Sequence, residues 1–178
     1  MRADALRNLE TVLTTGARML AADPAASIGA IAAEAGVDRR TVYRHFASRD
    51  ELLAAVYDAR LSAVEEAVDR ARLREAPVPT ALHRYAEGII EVNRKWPVEL
   101  TRMRAEPSIQ DRRGRMIAEV NAFIARATEE GVFRADVPEG WVYHLLIQLL
   151  HLASRQPSSP TEAADLLVGT LLHGVGAA

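Results

Sequence analysis

The sequence predicts an all-α protein of about nine helices, in which three short N-terminal helices form a helix-turn-helix unit and a larger helical region follows. Two observations carry this. Apolar residues recur at helical spacing along the whole chain, and no alternating strand pattern interrupts them. The breaks between these runs are helix punctuation: proline, glycine and capping residues at the offsets that helix ends require. A third observation sets the scale: 178 residues, 49% of them hydrophobic, are enough to bury a real core.

Leu6, Leu9, Leu13, Ala17 and Leu20 share one face of a first helix over about 3–22, which Asp23-Pro24 ends. Ser27 caps a short second helix with Ile28, Ile31, Ala32 and Ala35 on its inner face. Gly36 supplies the left-handed residue that a tight helix–helix turn needs. Asp38 then caps a third helix over about 38–45. Ser48-Arg49-Asp50-Glu51 is a capping box that opens a long fourth helix, with Leu52, Val56, Leu61, Val64 and Val68 along it to about Arg74. Ala76-Pro77-Val78-Pro79 is the clearest break. A fifth helix carries Leu82, Tyr85, Ala86, Ile89, Asn93 and Trp96. Pro97 starts a short sixth holding Leu100 and Met103, and Pro107 breaks the chain again. The seventh shows Met116, Val120, Phe123, Ile124 and Ala127 and ends at Gly131. Asp136-Val137-Pro138-Glu139 and Ser159-Pro160-Thr161-Glu162 both read as helix starts, giving an eighth helix over about 138–155 and a ninth over about 160–174. The domain boundary falls at the fourth helix, dividing the chain into 1–47 and 48–178.

Composition excludes several classes. There is no cysteine, hence no disulfide framework or thiolate metal site. The N terminus has no apolar signal core, and the most apolar run, 141–153, is interrupted by His144, Gln148 and His151, so the expectation is a cytoplasmic protein with no membrane span. The formal net charge is -2, and residues 1–50 hold seven arginines against six acidic residues, so a nucleic-acid argument must rest on local placement.

That placement is found at VDRRTVYRHFASRDEL, residues 37–52. With Val42 and Phe46 turned inward, Arg39 with Tyr43 and Arg40 with Arg44 form two exposed rows at i,i+4. The first turn of a recognition helix meets base edges in the major groove, and Arg39 and Arg40 sit there. Arginine grips O6 and N7 of guanine with two hydrogen bonds. Thr41, Tyr43 and His45 offer donors suited to phosphate oxygens, and Arg49 lies in the first turn of the next helix, where free N–H groups favour anions.

IGAIAAEAGVDRRTVYRHFASRDELLAAV, residues 28–56, resembles the DNA-binding signature of the tetracycline-repressor (TetR) family. The matching pieces are IAAEAGV, TVYRHF and SRDELL, and GVFRADV at 131–137 is a weaker echo of the family's C-terminal domain. The resemblance implies a homodimeric transcriptional regulator, usually a repressor, that binds palindromic double-stranded operator DNA and is released by a small molecule. Carried over by position, Arg39, Arg40 and Thr41 match base-contacting or nearby positions, and Tyr43, His45 and Arg49 match phosphate-contacting ones. Ser27 and Arg44 complete the expected DNA-binding set. At Arg40 family members often carry a small residue or proline.

Three further readings concern the rest of the chain. The eighth helix is apolar on most sides, so it must be covered on more than one. Either it and the ninth are central in one core, or one face of each is a subunit interface; Leu145, Leu146, Leu149, Leu167 and Leu171 are the interface candidates. Tyr85, Ile89, Asn93, Trp96, Leu100, Met103, Met116, Val120, Phe123 and Trp141 are candidates to line a pocket for a small apolar or amphipathic ligand, with Asn93, Asn121 or Tyr85 orienting it. Such residues also build cores, and the pocket reading leans on the resemblance. His144 and His151 share a helix face but lack a metal-ligand motif, so no metal and no cofactor is expected. No nucleophile–base pair, phosphate loop or paired-carboxylate motif points to an enzyme. The rival function is a helical small-molecule- or partner-binding protein without DNA readout.

Overall fold

The computed structural model describes residues 2–98 and 107–176. Among these the chain is all-helical: α1 (Arg2–Ala22), α2 (Ile28–Glu34), α3 (Arg39–His45), α4 (Arg49–Ala71), α5 (Val78–Lys95), α6 (Pro107–Glu129), α7 (Trp141–Ser154) and α8 (Pro160–Val175). Eight helices stand where nine were expected; the short helix with Leu100 and Met103 falls on residues outside the described ones. Pro107 does not break a helix but opens one, as its fixed φ and missing N–H allow at a first position.

The chain forms two compact units. One holds α1 to α3, α4 up to Ser62, and the stretch from Lys95; the other holds α4 from Ala63, α5 up to Arg94, and α6 to α8.

In the first unit the caps act as the sequence predicts. Ser27 Oγ accepts from Ala30 N at 3.1 Å, and Asp38 Oδ1 from Arg40 N at 2.8 Å. Gly36 takes φ +65°, leaving room for the chain to turn from α2 into α3. Val12, Ala17, Leu20, Ile28, Ile31, Val42, Phe46, Leu52 and Val56 are buried together in this unit's core. A fully buried aliphatic side chain contributes about 1.5–3 kcal/mol, against about 0–1 kcal/mol for an exposed ion pair such as Arg18–Glu34. Apolar burial therefore holds this head together. The segment after α5 belongs to it too. Lys95 Nζ donates to Glu10 Oε1 at 2.7 Å, which holds the Glu10 carboxyl below its ordinary range. Arg60 donates to the Trp96 carbonyl, and Trp96 and Val98 are buried.

In the second unit α5 is central. Val78, Ala81, Leu82, Tyr85, Ala86, Gly88, Ile89, Ile90 and Val92 are all buried, so more than half of its circumference is covered. A Cβ on Gly88 would stand 3.0 Å from Ala67 Cβ, which shows how closely α4 and α5 approach. Met116, Val120, Phe123 and Ala127 of α6 are buried as well, as are Val142, Leu146 and Leu150 of α7 and Ala164, Leu167 and Leu171 of α8. Arg126 donates to the carbonyls of Leu73 and Ala76, each at 2.9 Å, and so fixes the turn between α4 and α5. Phe133 of the GVFRADV segment is buried and bridges to Gly176.

One helix start differs from expectation. Asp136 does not cap α7: its carboxylate is bound by Arg134, Oδ2 to Nη2 at 2.7 Å, which lowers its pKa. The helix begins three residues beyond Pro138, at Trp141, after Gly140 in the left-handed region at φ +75°. Ser159 and Glu162, by contrast, make the expected reciprocal capping box at α8.

Candidate nucleic-acid interface

α2 and α3 pack through Ile28, Ile31, Ala32 and Val42, leaving the outer side of α3 to solvent. Arg39, Arg40, Tyr43, Arg44 and His45 are exposed there and Thr41 is half-buried, its N–H held by the Asp38 cap. Their arrangement is not uniform. Arg39 Nη2 donates to Tyr43 Oη at 3.3 Å, and its guanidinium lies 5.2 Å from the Tyr43 ring centroid. Ser27 is exposed at the start of α2; its oxygen is engaged as cap acceptor, while a hydroxyl keeps its own proton for a further acceptor.

Arg49 makes backbone contacts that its position in the sequence does not announce. Its Nε donates to the Ala26 carbonyl at 3.1 Å and its Nη2 to the Pro24 carbonyl, so it ties the α1–α2 turn to the start of α4. Those carbonyls sit in an irregular turn with few backbone donors nearby, which is what draws the guanidinium inward. The Ser48 cap is made, with Oγ accepting from Glu51 N at 3.1 Å, but Glu51 reaches Ala47 N instead of Ser48 N.

This head, with its Gly36 turn, its capped α3 and its exposed arginine and tyrosine donors, matches the family model described as bacterial regulatory proteins, tetR family, over residues 13–56. The HTH-type transcriptional repressor LfrR of Mycolicibacterium smegmatis is 30% identical over 95% of this chain and 90% of its own. The chain belongs to the TetR family. It is a DNA-binding transcriptional regulator, and a helical module without DNA readout is the disfavoured reading. Solved TetR-type structures share the fold. LfrR from Mycobacterium smegmatis in complex with proflavine matches with a TM-score of 0.72 at 24% identity, covering 95% of this chain and 96% of that one. The ketosteroid transcriptional regulator KstR2 of Mycobacterium tuberculosis matches with a TM-score of 0.78 at 20% identity, covering 94% of each.

The expected pocket residues fall into three groups. Tyr85, Ile89, Met116, Val120 and Phe123 are buried in the second unit, where burial, together with the Tyr143 hydroxyl, raises the pKa of the Tyr85 phenol. Asn93 is also in this unit, but its amide donates to Ser154 Oγ at 3.0 Å. Trp96 is buried in the first unit instead, and Leu100 and Met103 lie outside the described residues. Trp141 is 54% exposed, at the first position of α7. Asn121 is exposed as well.

The interface leucines also sort themselves. Leu146, Leu167 and Leu171 are core residues of the second unit, at most 3% exposed, because α5 and α6 complete a core on that side of α7 and α8. Leu145 and Leu149 remain half-exposed, on an outer α7 stripe that also includes Trp141, Gln148 and Leu152 at helical spacing. Leu152 at 57% and Leu166 at 70% exposure belong to the apolar sets of these helices but not to the interface candidates, yet they are the most exposed leucines there. Between them runs an apolar groove lined by Leu149, Leu152, Ala153, Ala163 and Leu166. Among the described residues no helix is long and apolar enough to cross a membrane, and no group of three or more His, Cys, Asp or Glu residues could hold a metal ion.

Proposed function

We propose that this TetR-family regulator acts as a homodimeric repressor of a palindromic operator, released by a small, mostly apolar ligand. The DNA-reading part is 1–47 and the ligand and dimerisation part is 48–178. Arg40, Thr41, Tyr43, Arg44, His45, Arg39 and Ser27 form the DNA face, and Arg49 supports it from behind. The observation that carries the reading is the side-chain set of α3, exposed and rich in donors on a helix whose apolar side is fully used by the head. Titration of random and selected duplex DNA at two salt concentrations tests it. A steep fall of affinity with salt and a selected palindrome support it; binding to no duplex at low salt ends it.

The second copy covers the outer stripes of α7 and α8. The outer stripe of α7 and Leu166 on neighbouring α8, exposed in one chain, are buried when a two-fold axis brings the same pair of helices from another. Pairing also places two α3 helices to read half-sites one helical turn apart, roughly 34–36 Å. A ligand shifts this equilibrium only through unequal affinity for the two states. α4 runs from the head into the ligand part, so a change in its direction alters the half-site spacing.

We assign the ligand site to Tyr85, Ile89, Met116, Val120 and Phe123, all buried, with the Tyr85 hydroxyl as its polar contact; that LfrR was solved in complex with proflavine supports a small-molecule ligand for this chain too. Ala86, fully buried on the same helix as Tyr85, is read as a packed helix contact. It shares an α5 face with Asn93, seven residues on, which bonds to α7. Ala86→Phe is therefore expected to overpack a helix contact and destabilise by about 1–3 kcal/mol. A clear fall in melting temperature checks this; an unchanged one, with ligand response lost, assigns Ala86 to the pocket wall.

A further inference from the structure

Arg39 and Arg40 are adjacent, but the structure treats them differently. Arg39 is folded back along α3. It donates to Tyr43 Oη at 3.3 Å, lies over the Tyr43 ring, and has its guanidinium carbon 3.6 Å from where a Cβ on Gly29 would stand. It thus rests in the notch between α2 and α3, with glycine backbone beneath it. Arg40 is exposed, its backbone N–H fixed by Asp38, and its side chain has no polar partner among the described residues. Arg44 stands one turn further on the same row, equally exposed.

A guanine grip asks for a guanidinium that can lay two N–H groups in the plane of the base pair, towards O6 and N7. In Arg39 one N–H group is already engaged by the Tyr43 hydroxyl and the guanidinium is held over the Tyr43 ring, so its plane is set by α3 and not by a base pair. In its observed place it does something else. With Arg39 donating to it, Tyr43 Oη keeps its own proton for another acceptor, beside the remaining N–H groups of Arg39. The pair then presents a fixed set of adjacent donors, one of them charged, which suits the oxygens of a single phosphate. Phosphate contacts set register and carry no sequence information.

Resting on the reading of α3 as the DNA-reading helix, we propose that Arg40 selects the operator sequence by gripping a guanine in each half-site, and that Arg39 and Tyr43 act as one phosphate clamp. The adjacent arginines thus divide the work: the tethered one positions, the free one reads.

Binding-site selection from random duplex DNA, followed by affinity on the winning site and on unrelated duplex, tests this with the full-length protein. The variants are Arg40→Ala, Arg39→Ala, Tyr43→Phe and the Arg39→Ala/Tyr43→Phe double. All three side chains are exposed, so folding is not at stake. The wild type is expected to select guanine at one position per half-site. Arg40→Ala should erase that preference and lose about 10- to 100-fold on the selected site, with little change on unrelated duplex. Arg39→Ala should keep the consensus, weaken all duplexes alike, and lower the salt slope by about one per half-site. Tyr43→Phe should also keep it, and the double variant should lose less than the product of the two single losses, as partners on one phosphate do. A consensus relaxed by Arg39→Ala and kept by Arg40→Ala overturns the division. Wild-type selection without guanine overturns it too. Unchanged binding in all four variants has a different meaning: it removes α3 from the interface, and this inference falls with that wider reading.

Discussion

Leu166→Glu, and separately Leu152→Glu, should give a chain that folds and no longer pairs. At 70% and 57% exposure, neither side chain contributes much to the isolated subunit, so a glutamate there changes its stability by no more than about 0.5 kcal/mol. In the dimer each copy would bury that carboxylate against an apolar stripe without a partner, at a cost of several kcal/mol, and two-fold symmetry doubles it. Sedimentation at micromolar concentration should show a wild-type dimer and a monomeric variant with an unchanged helical circular-dichroism spectrum. Operator affinity should fall by about 100-fold or more, because two half-sites are no longer bound together. Leu146→Asp, on the same helix as Leu152 but fully buried, should behave otherwise: an unpaired charge in the core costs more than about 4 kcal/mol and unfolds the chain. A dimeric Leu166→Glu protein, or a folded wild-type monomer, would remove this interface.

That contrast marks where the sequence stops being informative. Capping is local chemistry, and Ser27, Asp38 and Ser159 cap as their spacing predicts. Val42 and Phe46 turn inward because an amphipathic helix of seven residues leaves them no alternative. On α7, however, leucines occupy nearly every direction, so periodicity cannot say which faces its own core and which faces outward. The packing of α5 and α6 decides that, drawing in Leu146 and leaving Leu149 and Leu152 outside. Asp136 failed as a cap for a similar reason: its nearest partner is Arg134, a competition that a capping pattern does not register.

The candidate DNA face was legible as a set of residues and not as a set of roles. Arginine, tyrosine and histidine at those positions announce themselves by type and spacing. That Arg49 would bond to the carbonyls of Pro24 and Ala26, about 25 residues away, depends on the α1–α2 turn and has no local signature. Nor does spacing alone say that Arg39 folds back onto Tyr43, since an exposed arginine at i,i+4 from a tyrosine can equally extend into solvent.

The least legible residue is Arg94, and its removal should have one of the largest effects in the molecule. It looks like an ordinary arginine near the end of an exposed helix turn. In the structure it is half-buried, and its guanidinium donates to the carbonyls of Ser154 at 3.2 Å, Ser158 at 2.8 Å, Ala153 at 3.3 Å and Gln156 at 3.0 Å. These are the last carbonyls of α7 and those of the turn into α8, where helix geometry runs short of internal donors; the Ala153 carbonyl alone of the four also accepts a backbone N–H, that of Gln156 at 3.2 Å. One planar fork of five donors satisfies all four, and no other side-chain type has that reach and shape. Arg94→Met keeps the length of the stem and deletes the donors. The expected loss is about 2–4 kcal/mol, below the sum for four separate charged hydrogen bonds because water can take over at the exposed Gln156. Arg94→Lys should recover little of it, since one ammonium cannot span the four positions. The turn also sets how the outer stripes of α7 and α8 lie beside each other, so dimer affinity should fall together with stability. Urea denaturation gives the first quantity and sedimentation over a concentration series the second. If Arg94→Lys matches the wild type in both, a single charge suffices and the fork geometry is not what holds the turn.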